Sequence, residues 1–194
     1  MQKYMTQDFS HPVVPIDEEA CQIAAARKDP RAFGLLYDRY APKIYRYLLS
    51  RLRSVEEAKD VTSQTFLTAI ESFPRYKHNG YFSAWLFSIA RSKYVDHLRK
   101  SKHRSEIFEE QEQASLPDPL LQVIETERMA ELRRIIRGLP EDEQEMLRLR
   151  YVAELGFAEM ASVMNKKQDA VKKSLYRLLA RLYAVLQNGS QLEK

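Results

Sequence analysis

A single cysteine, Cys21, in 194 residues leaves nothing for an internal disulfide framework and no multi-cysteine zinc site. The four histidines (His11, His78, His97 and His103) show no ligand spacing, so neither a metal nor a cofactor is expected. Glycine is scarce, with 5 residues, and none forms a phosphate-cradling loop. There is also no His-Glu-x-x-His pattern and no nucleophile paired with a base, which argues against an enzyme. No apolar run approaches the roughly 18 residues needed to cross a bilayer. The stretch from Met1 to Asp17 lacks the basic-then-apolar layout of a signal peptide, so no membrane insertion and a reducing, cytoplasmic location are expected.

Strand-type alternation is missing too, whereas stretches rich in Leu, Ala, Arg, Glu and Lys recur at helical spacing, which predicts an all-α fold. The formal charge of +4 is mild, but its distribution is uneven: two basic segments flank an acidic one. The acidic segment (Glu106, Glu109, Glu110, Glu112, Asp118, Glu125) also holds Pro117 and Pro119 and reads as a linker. The chain therefore divides into an N-terminal arm at 1–16, a first helical domain at 17–104, a linker at 105–122, a second helical domain at 123–188 and a tail at 189–194. The two domains are expected to be separately hinged.

In the first domain, Phe33, Leu36, Tyr37, Tyr40, Ile44, Tyr47 and Leu48 predict one amphipathic helix, with Pro30 suited to its first turn. Ser54 with Glu57 reads as a capping box for a second helix ending near Phe73, stopped by Pro74. After the Asn79-Gly80 turn signal, Ser83 is the expected cap of a third, running toward Lys102. The second domain predicts helices from about Val123 to Arg137, Glu141 to Ala153, Phe157 to Met164 and Asp169 to Leu186, with connections short enough for a helix-turn-helix.

Two basic clusters carry the functional reading. Lys166, Lys167, Lys172, Lys173, Arg177 and Arg181 surround the final helix with only Asp169 against them, a composition that neutralises phosphates while the helix enters a major groove. Arg91, Lys93, His97, Arg99 and Lys100 follow an aromatic group containing Tyr76, Tyr81, Phe82, Trp85 and Phe87. Cations that track a backbone beside rings that stack bases suit single-stranded DNA. Trp85 sits at core spacing and is assigned mainly to packing, and Tyr76, Tyr81 and the basic face to DNA. By pattern alone, Asp60 and its polar neighbours read as an ordinary exposed surface.

Ala32 to Tyr37 with Ala58-Lys59-Asp60-Val61-Thr62-Ser63-Gln64-Thr65-Phe66, then Phe82 to Arg91 with Asp96-His97-Leu98-Arg99, then Leu139-Pro140-Glu141 with Phe157-Ala158-Glu159-Met160-Ala161, resemble the extracytoplasmic-function, or group IV, sigma factors of the sigma-70 family. The resemblance spans Glu18 to Leu186. It implies a transcription initiation factor of two helical domains, sigma region 2-like and sigma region 4-like, whose partners are the bacterial RNA polymerase core enzyme, promoter DNA and an anti-sigma protein. It places Asp60, Val61, Gln64 and Phe66 at the polymerase. Tyr76, Tyr81, Trp85, Arg91, Ser92, Lys93, His97, Arg99 and Lys100 fall at the downstream promoter element. Lys166, Lys167, Gln168, Asp169, Lys172, Lys173, Tyr176, Arg177 and Arg181 fall at the upstream one. Ser92 stands where many members carry an asparagine. The competing reading is a helix-turn-helix regulator or adaptor that binds duplex DNA without polymerase.

Overall fold

Helices bury the stripe their apolar spacing defines, and the chain follows that rule throughout. A computed structural model describes residues 16–52, 54–78, 81–105 and 127–189, and the described residues contain helices and no strand. The arm at 1–15, the Asn79-Gly80 turn, the acidic segment at 106–126 and residues 190–194 lie outside the described residues.

The first half holds α1 (Ile16–Lys28), α2 (Phe33–Leu52), α3 (Val55–Ser72) and α4 (Phe82–Ser105). Pro30 opens a single 3-10 turn ahead of α2, where the Asp29 carboxylate accepts the Arg31 N–H at 2.9 Å. Ser54 caps α3 by accepting the Glu57 N–H at 3.3 Å, as expected, while the Glu57 carboxylate lies 3.3 Å from His97 of α4. Pro74 sits in the 3-10 turn that ends α3. Ser83 is not the cap of α4: the helix already starts at Phe82, and Ser83 lies buried in its first turn.

The second half holds α5 (Glu127–Arg137), α6 (Glu141–Leu147), α7 (Phe157–Met164) and α8 (Gln168–Gly189). Residues 123–126, expected to begin α5, lie outside the described residues. Beyond Leu147 the helix widens into a π-helical turn over Arg148–Val152, closed by the Ala153 N–H on the Arg148 carbonyl at 2.9 Å. Glu154 follows at φ 60°. Asn165, at φ 52° and ψ 46°, ends α7 in the left-handed conformation, and the Lys166 N–H closes back on the Ala161 carbonyl at 2.9 Å. That is a Schellman-type turn, in which asparagine tolerates the backbone that glycine usually takes.

Leu36, Ile44, Tyr47, Leu48, Val61, Phe82, Leu86 and Phe87 fill the first core, and Leu149, Leu155, Met160, Val171, Leu175 and Leu178 the second. Burying each such side chain contributes about 1.5–3 kcal/mol. The two cores form one continuous apolar cluster, because α2 packs on the π-helical turn and α4 on α7. In this arrangement the two halves lie against one another, and the acidic segment expected to hinge them lies outside the described residues. Ion pairs such as Arg51 with Glu145 and Lys43 with Glu154 accompany the apolar contact, and periodicity in either half gives no sign that they pair.

Candidate nucleic-acid and protein interfaces

On α3 the apolar face (Ala58, Val61, Thr62, Thr65, Phe66, Ala69) turns inward, so Asp60, Gln64, Leu67 and Glu71, spaced four, three and four apart, share the outward stripe. Asp60 and Gln64 are exposed, as an interface requires. Val61 and Phe66 are core residues: Val61 is fully buried, and the Phe66 ring meets Tyr37 edge-on at 4.7 Å between centroids. They hold α3 in place and present no surface of their own. Leu67, which sequence reasoning missed, is 61% exposed at the centre of the stripe. Its signal was an apolar residue in phase with Asp60 and Gln64 rather than with Val61. Beside the stripe runs a groove of about 370 Å³ lined by Tyr37, Pro42, Tyr45, Lys59, Thr62 and Ser63.

The downstream set does not form one surface. Tyr76, expected to stack bases, is only 6% exposed. Its ring packs on Trp85 at 4.6 Å and on Phe82 at 5.5 Å, its hydroxyl pairs with His78 Nδ1 at 3.0 Å, and burial pushes its phenol up to about 12. Its backbone carbonyl accepts from Arg27 of α1 at 2.6 Å. Trp85 is half-buried in the same aromatic group, in keeping with its assignment to packing, and Tyr81 is exposed at the start of α4.

The cations of α4 then divide. Ser88, Arg91, Ser92, Val95, Asp96 and Arg99 line one open groove of about 380 Å³, to which Val163 of α7 also contributes, and Arg91, Ser92 and Arg99 remain exposed in it. Lys93, His97 and Lys100 lie roughly 150° around the helix at about 100° per residue. His97 Nε2 there lies 3.3 Å from the Glu57 carboxylate. Sequence spacing contained this division, but which of the two faces borders α7 needed the tertiary structure.

On α8 the buried residues Val171, Leu175, Leu178 and Leu182 oppose an exposed face carrying Asp169, Lys172, Lys173, Tyr176 and Arg177. Val185, in phase with these buried residues near the end of the helix, is exposed. Tyr176 packs its ring on Phe157 of α7 at 6.0 Å, and Lys172 Nζ lies 6.0 Å over the same ring. Gln168 and Lys167 are exposed at the start of the helix. Lys166 and Arg181 are already engaged, the first with Asp142 at 2.8 Å and the second with Glu143. The hydrogen bond and charge of Lys166 hold the Asp142 carboxyl below its ordinary range. The acidic first turn of α6 thus uses two of the cations, and leaves Lys172, Lys173 and Arg177 without an acid partner among the described residues.

A short helix, a left-handed turn and a longer basic helix form a helix-turn-helix, attached to a helical bundle with a solvent-facing polar stripe. Residues 36–104 match the family model for sigma-70 region 2, and residues 129–182 that for sigma-70 region 4. The chain is 30% identical over 162 residues to the extracytoplasmic-function RNA polymerase sigma factor SigM of Bacillus subtilis, covering 79% of this chain and 94% of that one. It is 34% identical over 166 residues to the sigma factor BldN of Streptomyces coelicolor, covering 82% of this chain and 62% of that longer protein. Its fold resembles that of the sigma factor RpoE solved in complex with the anti-sigma factor NepR from Bartonella quintana, with a TM-score of 0.62 at 17% identity, covering 80% of this chain and 96% of that one. The chain belongs to the extracytoplasmic-function group of sigma-70-family RNA polymerase sigma factors. Among the described residues no helix is long and apolar enough to cross a membrane, and no acid, histidine and cysteine cluster could hold a metal.

Proposed function

We propose that this chain directs core RNA polymerase to specific promoters by dividing the work among three surfaces. The α3 stripe of Asp60, Gln64 and Leu67 docks on polymerase, with the apolar Leu67 as anchor and the polar residues setting register. Tyr81 and the Arg91, Ser92 and Arg99 face of α4 hold the unpaired strand of the downstream element. Holding that strand shifts duplex opening toward the melted form by the binding free energy gained. Lys172, Lys173 and Arg177 neutralise phosphates while the first turns of α8 enter the major groove of the upstream element.

The observation that supports this most is the exposed face of α8, whose three cations have no acid partner among the described residues and follow directly on the left-handed turn at Asn165. Polymerase supplies the chemistry, and the chain acts in the cytoplasm with no catalytic site of its own. The related RpoE was solved with an anti-sigma factor, and a protein of that kind is the natural regulator here.

The experiment is in vitro transcription from a genomic-fragment library with purified core polymerase, with and without the protein. New discrete start sites sharing two spaced upstream motifs are the expected result. No new starts, with duplex binding intact, would replace this reading by that of a regulator acting without polymerase.

A further inference from the structure

One residue on the outward face of α8 carries the opposite charge from its neighbours. Asp169 stands in the first turn of the helix. At about 100° per residue it lies roughly 150° around the helix from the centre of the buried stripe formed by Val171, Leu175, Leu178 and Leu182. It therefore shares the exposed face with Lys172, Lys173, Tyr176 and Arg177, which follow it by one to two turns. Asp169 is itself exposed and makes no ion pair among the described residues. The cations around it are placed otherwise. Lys166 and Arg181 are held by Asp142 and Glu143 of α6, and Lys172 Nζ lies 6.0 Å over the Phe157 ring of α7.

On a surface that meets phosphates, such a carboxylate is repelled by the same backbone that attracts its neighbours. It weakens binding to every sequence unless it finds a hydrogen-bond donor inside the groove. An ionised carboxylate accepts hydrogen bonds and donates none. The donors that base edges offer in the major groove are the amino groups on cytosine N4 and adenine N6. Adenine N6 lies beside the N7 acceptor, which repels a carboxylate, whereas cytosine presents N4 alone. The position of Asp169 suits this contact, because the N-terminal residues of a recognition helix are the ones that reach base edges.

We propose that Asp169 is a specificity-determining residue of this chain, which selects cytosine at one position of the upstream element by accepting from its N4 amino group. This deepens the assignment of α8 made above and rests on it. An acid in the first turn also stabilises a helix through its dipole. That role is blind to DNA sequence, so the base preferred at one position, and not affinity as such, separates the two.

The test uses the full chain with core polymerase and a promoter library randomised across the upstream element, transcribed in vitro and sequenced. The wild-type protein should favour cytosine at one position by about 5-fold or more, as for one matched base pair against a mismatch. Asp169→Ala should flatten the preference at that position and leave the rest of the motif in place. Asp169→Asn, whose amide suits adenine N6 and N7 together, should move the preference there to adenine. Because Asp169 is exposed, both variants should keep wild-type helicity by circular dichroism; loss of helicity in both would make its role structural and overturn the proposal. Identical base profiles for the three proteins, or a wild-type motif with no cytosine that depends on Asp169, overturn it while leaving α8 on the upstream element. Start sites with no shared upstream motif overturn both.

Discussion

Replacing Lys172, Lys173 and Arg177 together by alanine removes the three cations of α8 that no acid among the described residues engages, and leaves Val171, Leu175, Leu178 and Leu182 untouched on the buried side. Each phosphate neutralised on duplex DNA adds about 0.9 to the slope of log K against log salt, so losing three should lower the slope by about 2.7. If the non-electrostatic part of binding is unchanged, affinity at roughly 0.1 M salt falls by about 500-fold, or about 3.7 kcal/mol. The control is the pair Lys166→Ala with Arg181→Ala. These cations already face Asp142 and Glu143, so the slope should fall by clearly less than the roughly 1.8 expected of two free ones. The assay is fluorescence anisotropy with labelled promoter duplex, bound by the protein with core polymerase, across a salt series. An unchanged slope for the triple variant, or a full two-phosphate drop for the pair, would refute the division of the cations drawn from the structure.

Leu67→Ala and Asp60→Ala should each weaken polymerase binding, Leu67→Ala by about 1–3 kcal/mol if it is the buried anchor, with unaltered melting curves because both side chains are exposed; titration of core enzyme decides this, and unchanged affinity would take the stripe out of the interface. Leu175→Ala should cost about 2–5 kcal/mol of stability by denaturant titration, against about 0.5 kcal/mol or less for the adjacent exposed Lys173→Ala. The contact between the halves should weaken in acid. Burial alone would raise the Glu154 carboxyl, but the hydrogen bond and charge of Lys43, with Arg46, outweigh it and hold the group below its ordinary range. A depressed carboxylate contributes in full above its unfolded value of about 4.3, and that contribution is lost as pH falls through the lower folded value. Energy transfer between dyes on Cys21, exposed in α1, and on a Ser162→Cys substitution, exposed in α7, should therefore hold from neutrality down to about pH 4 and fall below it, and a loss centred near pH 6 would assign the dependence to other groups.

The placement of Tyr76, Val61 and Phe66 marks the limit of reading residues one at a time. All three were expected at an interface, yet each side chain turns into the core. The helical phase that buries Val61 is the one that exposes Leu67, and it was present in the sequence. What could not be read there was that Phe73, in the turn that ends α3, and Phe82 and Trp85, both of α4, would close around Tyr76, because the rings come from two elements joined by a loop.

The sequence by itself determined the helical class, the boundaries of most helices, the helix-turn-helix and the family. Each of these rests on interactions within a turn or two of the chain, namely apolar phase, capping and breaking residues, and local charge. Only the tertiary structure decided that the two halves pack together, which face of α4 borders α7, and which cations of the second half are already engaged by Asp142 and Glu143. Those facts depend on pairs such as Arg51 and Glu145, 94 positions apart. A charged residue at an exposed-looking position carries no local mark of the distant partner that will bury it.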